Sequence, residues 1–177
     1  MQMEQDVRLA QQGDREAFAR LIKKMELNLY GVARSIVKRD EDCADAIQEA
    51  ILKAYIGLHA LKEPAYFKTW MFRILINECK KILKRQKTNM LVGEFPTASS
   101  SVSEYGAVDL REAVDRLDET LRTVIVLYYF EDMSLKQISE ILETSEGAVK
   151  TRLHRARQTL ARWLENSTER KNCYEPC

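Results

Sequence analysis

The sequence predicts an all-α protein made of two small helical domains joined by a flexible linker. Only three Pro and six Gly occur in 177 residues, and no stretch sustains the alternating pattern of a half-buried strand. Apolar residues recur at helical spacing instead. We expect one domain at residues 1–90, a linker at 91–109, a second domain at 110–166 and a tail at 167–177.

Charge divides the chain into blocks, although the net charge is only +1. Residues 1–67 hold ten basic and eleven acidic side chains, whereas residues 68–87 hold seven basic ones and a single acid. Residues 94–120 carry two Arg against seven acids, and residues 96–103 have the composition of a linker. A second basic patch follows at residues 146–163, with five Lys or Arg against one Glu. Two basic patches joined by a tether predict two nucleic-acid surfaces.

The first basic patch lies on a helix predicted from about residue 68 to residue 87. Met71, Leu75 and Ile82 share one face of this helix, and four polar or basic residues share the opposite face: Arg73, Asn77, Lys80 and Lys84. Such a face is a candidate binding surface for nucleic acid.

Aromatic residues accompany the basic face of this helix. Trp70 borders it, and Tyr66, Phe67 and Phe72 are close by in sequence. Rings that stack on unpaired bases, beside cations that follow the backbone, favour single-strand binding. Each ring could instead belong to the core of a small helical domain, and Phe67 and Phe72 are the strongest candidates for the core.

The apolar run at residues 124–130 could form a strand because of its β-branched content. Its continuation by the compact turn Glu131-Asp132-Met133 favours a buried helix.

Residues 134–157 have the form of a helix-turn-helix. Leu135, Ile138 and Leu142 recur at helical spacing, and Ser139 leaves a small surface that a second helix can cross closely. Residues 144–147 supply turn and cap chemistry. We therefore expect two short helices that pack at a steep angle.

The second helix of this motif has an apolar side and a basic side. Its apolar stripe consists of Val149, Leu153, Ala156 and Leu160. Opposite lie the residues expected to read base edges, namely Thr151, His154 and Arg155. On the flanks lie the residues expected to contact phosphates, namely Lys150, Arg152 and Arg157. A basic helix alone could be a solvated surface, but the preceding helix and turn favour DNA binding.

No catalytic constellation, metal site or cofactor motif is visible in the sequence. The only histidines, His59 and His154, fit no ligand or triad pattern, and we expect Cys43 and Cys79 to be buried thiols. Residues 173–177 hold two more Cys without a nearby His, which leaves a frayed end or a redox or metal sensor as alternatives.

The sequence shows no membrane span, and its acidic N-terminus is not a signal peptide. We therefore expect a cytoplasmic protein that is not an enzyme, that uses no cofactor and that has no small-molecule substrate.

Taken together in order and spacing, these motifs resemble those of the extracytoplasmic-function (ECF) group of RNA polymerase sigma factors in the sigma-70 family. Five segments resemble the family's region two: residues 14–21, 29–33, 45–49, 52–55 and 67–74. Two segments resemble its region four: residues 122–130 and 134–160. Leu117-Asp118 stands where the family commonly has Leu-Pro.

The resemblance implies a transcription initiation factor that binds core RNA polymerase and promoter DNA. It implies that three residues on an acidic helix dock on the polymerase: Asp45, Gln48 and Glu49. It implies that eight residues recognise and melt the −10 element: His59, Lys62, Tyr66, Trp70, Arg73, Asn77, Lys80 and Lys84. Those within residues 59–66 belong to a loop that is implied to capture a flipped base. It assigns the −35 element to six residues: Lys150, Thr151, Arg152, His154, Arg155 and Arg157. An anti-sigma partner, often anchored in the membrane, is common in this group.

Two other classes of protein stay open when the residues are considered without the resemblance. A stand-alone helix-turn-helix regulator would bind palindromic sites, usually as a dimer, without polymerase. A single-strand or RNA-binding module would bind with little sequence preference. Neither accounts at once for the acidic helix, the basic aromatic helix and the linker.

Overall fold

The computed structural model describes residues 2–91 and 110–172, and every regular element in those two ranges is helical. The N-terminal half holds four helices: α1 (Gln2–Gln11), α2 (Arg15–Val37), α3 (Asp40–Gly57) and α4 (Phe67–Leu91). The C-terminal half holds four more: α5 (Leu110–Arg116), α6 (Glu119–Ile125), α7 (Leu135–Leu142) and α8 (Glu146–Asn172). Three short turns of other helix types complete the fold: Leu58–Ala60, Pro64–Tyr66 and Val126–Phe130.

The predicted all-α class is confirmed. Residues 92–109 of the predicted linker, and the two Cys at residues 173–177, lie outside the described residues.

Helices α1 to α4 form one bundle, in which α1 packs on α2, and α2 and α4 pack against a row of small residues on α3. That row is fully buried and recurs every three or four residues: Cys43, Ala46, Ala50 and Ala54. Small side chains let α2 and α4 approach α3 closely. Phe67 and Phe72 are also fully buried, which confirms the prediction that these two rings belong to the core.

The two described cysteines are inert thiols inside this bundle. Burial raises the pKa of Cys43 to about 11 and that of Cys79 to about 12, and neither forms a disulfide. Both thiols are therefore protonated at neutral pH. This confirms the prediction that they are buried structural residues.

A buried carboxylate joins α3 to α4. Glu78 on α4 accepts from Lys53 of α3, whose Nζ lies 2.6 Å from Oε2, and from Lys81, whose Nζ lies 2.9 Å from Oε1. Burial by itself would raise the pKa of Glu78, but the two lysine hydrogen bonds outweigh it and lower the pKa below its ordinary value. Glu78 is thus held ionised where the two helices meet.

Asp118 forms the N-terminal cap of helix α6. The Asp118 carboxylate accepts from the backbone N–H of Thr120 at 3.1 Å, and α6 starts at the next residue. The Asp118 side chain thus supplies the N-terminal cap of α6.

The apolar run at residues 124–130 is helical, which confirms the preference for a helix over a strand. Helix α6 passes directly into the wider turn Val126–Phe130. Val124, Ile125 and Leu127 are buried, but Tyr129 and Phe130 are more than half exposed. The expected burial therefore holds only for the first part of the run, because the widened turn brings the last two rings to the surface.

The two halves are packed against each other. Helix α6 contacts α2, and α7 lies along α4. Arg122 on α6 is only 2% exposed, and its Nε donates to the carbonyl oxygen of Ser35 on α2 at 2.6 Å. Its Nη1 donates to the carbonyls of Asp115 and Leu117 at 3.0 and 2.8 Å. Since guanidinium has three carbonyl acceptors here, its charge is tolerated although burial lowers its pKa.

Among the described helices, none has the length and apolar character needed to cross a membrane.

Candidate nucleic-acid interface

Local caps at the ends of its two helices stabilise the helix-turn-helix. Ser134 and Gln137 form a reciprocal capping box at the start of α7, with side-chain to backbone distances of 3.2 and 2.9 Å. Glu143 ends α7 in the left-handed region at φ 54°. The Ser145 hydroxyl then accepts from the N–H of Ala148 at 3.2 Å and caps α8. The predicted order of helix, turn and second helix is confirmed, but the expectation that both helices are short holds only for α7, because α8 runs for 27 residues.

Helix α8 has the two sides that its sequence predicts. The apolar stripe Val149, Leu153, Ala156 and Leu160 is buried, with exposures of 0–9%. The six proposed DNA contacts, three opposite this stripe and three on its flanks, lie exposed or half-buried: Lys150, Thr151, Arg152, His154, Arg155 and Arg157. A basic face of this kind fits a major groove.

The basic residues on this face differ in how tightly they are held. Among the side chains of residues 2–88 and 110–164, those of His154 and Arg155 have no hydrogen-bond or ion-pair partner, and both are exposed. Arg157 is held: its Nε donates to the Tyr129 hydroxyl at 2.7 Å, and its guanidinium lies 5.6 and 5.5 Å from the ring centroids of Tyr128 and Tyr129. Tyr129 therefore orients the cation, a role that the sequence alone did not reveal.

The basic face of α4 is also present, and most of its cations are exposed. Arg73, Lys80 and Lys84 are exposed, while Asn77 is half-buried. Trp70 is half-buried too: its ring packs over Gly57 and lies 6.1 Å from the ring of Phe67. The structure thus brings these residues of the predicted surface together on one helix, with the indole set at the edge of the core.

The loop before α4 presents three further candidates. His59, Lys62 and Tyr66 are exposed. Gln11 of α1 fixes the base of this loop, because its Nε2 donates to the carbonyl oxygens of Leu58 and Leu61 at 3.1 and 2.7 Å. A loop held in this way keeps a defined shape while its polar side chains face solvent.

The acidic face of α3 carries two apolar residues that the sequence prediction missed. Asp45, Gln48 and Glu49 are exposed as expected. Leu52 is 53% exposed and Ile56 is 70% exposed. Their spacing from Glu49, three and seven residues, places them on the same side of the helix. That spacing was available in the sequence and could have identified them.

One predicted DNA contact is already paired with the other half of the chain. The Arg73 guanidinium donates from Nη2 and Nε to Glu143 Oε1 at 2.7 and 3.2 Å. This pairing lowers the pKa of Glu143. Arg73 therefore faces α7 in this structure.

The described residues offer no group of His, Cys, Asp and Glu that could hold a metal ion.

Sequence comparison matches each half of the chain to a known family. The family "Sigma-70 region 2" matches residues 21–88, and "Sigma-70, region 4" matches residues 107–160. The chain is 33% identical to the RNA polymerase sigma factor SigV of Bacillus subtilis over 132 residues, which cover 73% of this chain and 80% of SigV. It is 33% identical to the ECF sigma factor SigM of Mycobacterium tuberculosis over 155 residues, covering 86% and 79%.

Solved structures share the fold. The sigma factor RpoE of Bartonella quintana, in complex with the anti-sigma factor NepR, has a TM-score of 0.69 at 20% identity and covers 84% of this chain and 96% of that chain. CnrH, in complex with the cytosolic domain of CnrY, has a TM-score of 0.67 at 24% identity and covers 94% and 99%.

Proposed function

Because the chain belongs to the sigma-70 family of RNA polymerase sigma factors, we propose that each of its charged helix faces serves one step of promoter recognition and opening. The chain is a promoter-specific transcription initiation factor of the ECF type, which acts together with RNA polymerase. A stand-alone regulator is not favoured, because both halves match sigma regions and not only the helix-turn-helix half.

The docking surface for polymerase is the exposed face of α3. Asp45, Gln48 and Glu49 supply its polar contacts, and Leu52 and Ile56 supply an apolar edge. Carboxylates give orientation and a fast encounter with a basic partner surface, whereas buried apolar side chains give most of the binding energy.

The −35 element is read by α8. Thr151, His154 and Arg155 face the base edges, while Lys150, Arg152 and Arg157 hold phosphates on the walls of the groove. The exposed side chains of His154 and Arg155, which make no hydrogen bond or ion pair with the described residues, suit the first role, and a pre-oriented guanidinium suits the second.

The −10 element is opened by α4 and the loop before it. The loop side chains of His59, Lys62 and Tyr66 take up an extruded base, and a cationic, aromatic face holds the separated strand: Trp70, Arg73, Asn77, Lys80 and Lys84. Extruding a base costs a few kcal/mol. Stacking on an aromatic ring contributes about 1 to 3 kcal/mol per base and can offset that cost. The chain thus works by binding and not by covalent chemistry, and it needs no cofactor.

We also propose an anti-sigma partner and a place of action in the cytoplasm. Support for the partner comes from two solved proteins of the same fold, each in complex with another protein. Support for the location comes from the polymerase on which the family acts.

The observation that carries this proposal is the presence, on one chain, of an exposed acidic and apolar face on α3 and two separate basic faces on α4 and α8. We expect Glu49→Lys to weaken capture of purified core polymerase by the tagged full chain at least about tenfold. Glu26→Lys, an equal change at an exposed position of α2, should leave capture unaltered. Equal capture by both variants would contradict the proposed docking face.

A further inference from the structure

The loop proposed to take up the extruded base is held at two backbone positions by one side chain from another helix. Gln11 is the last residue of α1, and its Nε2 donates to the carbonyl oxygens of Leu58 and Leu61 at 3.1 and 2.7 Å. These carbonyls lie on either side of His59, and Leu61 directly precedes Lys62. A single amide group therefore fixes the backbone beneath two of the proposed base contacts.

Packing holds the same loop against α1. The side chains of Leu58 and Leu61 are only 2% and 8% exposed. Both short turns of the loop, Leu58–Ala60 and Pro64–Tyr66, contact α1. A backbone carbonyl that packing partly shields from water needs a donor from the protein. Gln11 supplies that donor at the place where the loop rests on α1.

Helix α1 is itself fixed on α2, so Gln11 has a defined position. Asp6 is only 5% exposed, and it accepts from Arg20 Nη2 at 3.0 Å and from Lys24 Nζ at 2.7 Å. At the other end of α1, Gly13 makes the turn into α2 at φ 99°, a conformation that suits glycine. The amide that holds the loop thus stands on a rigid support.

This support lies outside the part of the chain that carries the proposed −10 contacts. Sigma-70 region 2 matches residues 21–88, whereas α1 ends at Gln11. Gln11 lies 47 and 50 positions away in sequence from its two acceptors. Its link to the loop is therefore a property of the folded chain.

We infer that Gln11 is a positioning residue for promoter opening, which holds the loop of residues 58–66 in the shape that receives the extruded base. This inference rests on the proposed function of that loop. Gln11 acts through the loop backbone, while His59, Lys62 and Tyr66 stay exposed for the base. A loop that already has its bound shape loses less conformational entropy when the base enters. Loss of the Gln11 hydrogen bonds should therefore weaken capture of the base.

The test uses holoenzyme assembled from purified core polymerase and the full chain, on a promoter duplex obtained from run-off transcription. A fluorescent base in the −10 element reports the equilibrium of promoter opening. Gln11→Met keeps the length of the side chain and removes its donor, and it should lower the opening constant about three- to tenfold, since two hydrogen bonds that preorganise the loop are lost. Gln11→Glu should lower it at least as much, because an ionised carboxylate cannot donate to the two carbonyls.

A scan of the −10 element separates positioning of the loop from a general structural effect. Each base of the non-template strand is replaced in turn by an abasic nucleotide, and the parent should lose most opening at the captured position. At that position the defect of Gln11→Met should disappear, because the base that the loop receives is already absent. At every other position the defect should keep its full size. A defect of equal size at all positions would overturn the inference.

Two controls carry the same substitution elsewhere. Gln12→Met changes an exposed side chain that has no partner among the described residues, and it should open the promoter as the parent does. Gln86→Met removes a hydrogen bond of 2.8 Å to Asp42 Oδ2, near the end of α3 that is remote from the loop. A base-selective defect in Gln86→Met would show that loosening the bundle is sufficient, and would overturn the inference.

Measurements of folding and assembly accompany the scan. Circular dichroism and capture of core polymerase should be the same for the parent and for every Gln11 variant. If Gln11→Met does not fold, Gln11→Asn takes its place, since it keeps the amide on a side chain one methylene shorter. It should show a smaller defect with the same dependence on the captured base.

Failure of the inference is distinguishable from failure of the proposed function. If one abasic position matters for the parent, and the Gln11→Met defect persists at that position, the role of the loop stands and the role of Gln11 is refuted. If no abasic position affects opening by the parent, the loop captures no base and both are refuted.

Discussion

Arg155 and Lys150 lie on the same helix, but their positions predict different effects on DNA binding. Arg155 lies opposite the buried stripe of α8, the position that the proposed function assigns to the floor of the groove, and Lys150 lies on a flank. A contact to a base edge carries sequence information, whereas a contact to a phosphate does not.

Replacing Arg155 by Ala should cost about 1 to 3 kcal/mol of binding free energy and relax the preference at one base pair. Replacing Lys150 by Ala should weaken binding to all duplexes similarly and reduce the salt dependence. Titrations of polymerase holoenzyme on a promoter and its single-base variants measure both effects. Uniform losses from both substitutions would contradict the assigned roles.

We expect Tyr129 to affect DNA binding by orienting the side chain of Arg157. Its hydroxyl accepts from Arg157 Nε at 2.7 Å, so Tyr129→Phe removes the hydrogen bond and keeps the ring. We expect about a two- to fivefold weaker affinity for duplex promoter DNA, with an unchanged salt dependence because the charge of Arg157 stays. Tyr128→Phe is the matched control, since its hydroxyl makes no hydrogen bond within the described residues. A changed salt dependence would argue against a positioning role.

At the scale of helices, the periodicity of apolar residues predicted which faces of α4 and α8 are buried. This prediction succeeded because residues close together in sequence determine which side of a helix is apolar and therefore faces the core. The exposure of Tyr129 and Phe130 escaped prediction, since a single widened turn rotates the last residues of an apolar run. The pairing of Lys68 with Glu131 escaped as well, because residues that distant in sequence meet only through the packing of the two halves.

The Glu78 carboxylate should make the packing of α3 on α4 sensitive to acid. Its pKa is lowered when folded, so its contribution is complete above the ordinary value of 4.5 and is lost as pH falls through the lowered value. Glu78→Gln should reduce the free energy of unfolding by about 1 to 3 kcal/mol at pH 7.

Urea unfolding of the parent and Glu78→Gln between pH 7 and pH 3 measures this effect. The difference between the two proteins should shrink below about pH 4.5, as the parent protonates. Glu26→Gln, at an exposed position of α2, should match the parent throughout. A difference that persists undiminished at low pH would show that Glu78 contributes through packing and not through charge.

At the scale of the whole molecule, Arg122 ties the two halves together. It is buried, and it serves carbonyl oxygens from both halves through two different nitrogens. Lys could not replace it, because an ammonium group lacks the planar fork that reaches separate acceptors.

Arg122→Met should lower the free energy of unfolding by about 3 kcal/mol or more, since three carbonyls lose a charged donor. It should also split one cooperative unfolding transition into two, because the halves lose a shared contact. Arg116→Met, which removes only a surface ion pair with Glu112, should unfold nearly as the parent does. A single transition at unchanged stability in Arg122→Met would refute this role.

The central claim is that this chain selects promoters for RNA polymerase. Run-off transcription from fragmented bacterial genomic DNA, with purified core polymerase and with or without the chain, tests it most directly when the RNA starts are sequenced. We expect new starts that share two upstream motifs at a fixed spacing, and their loss when Glu49→Lys replaces the parent chain. The absence of new starts, together with tight binding to a palindrome without polymerase, would contradict the claim.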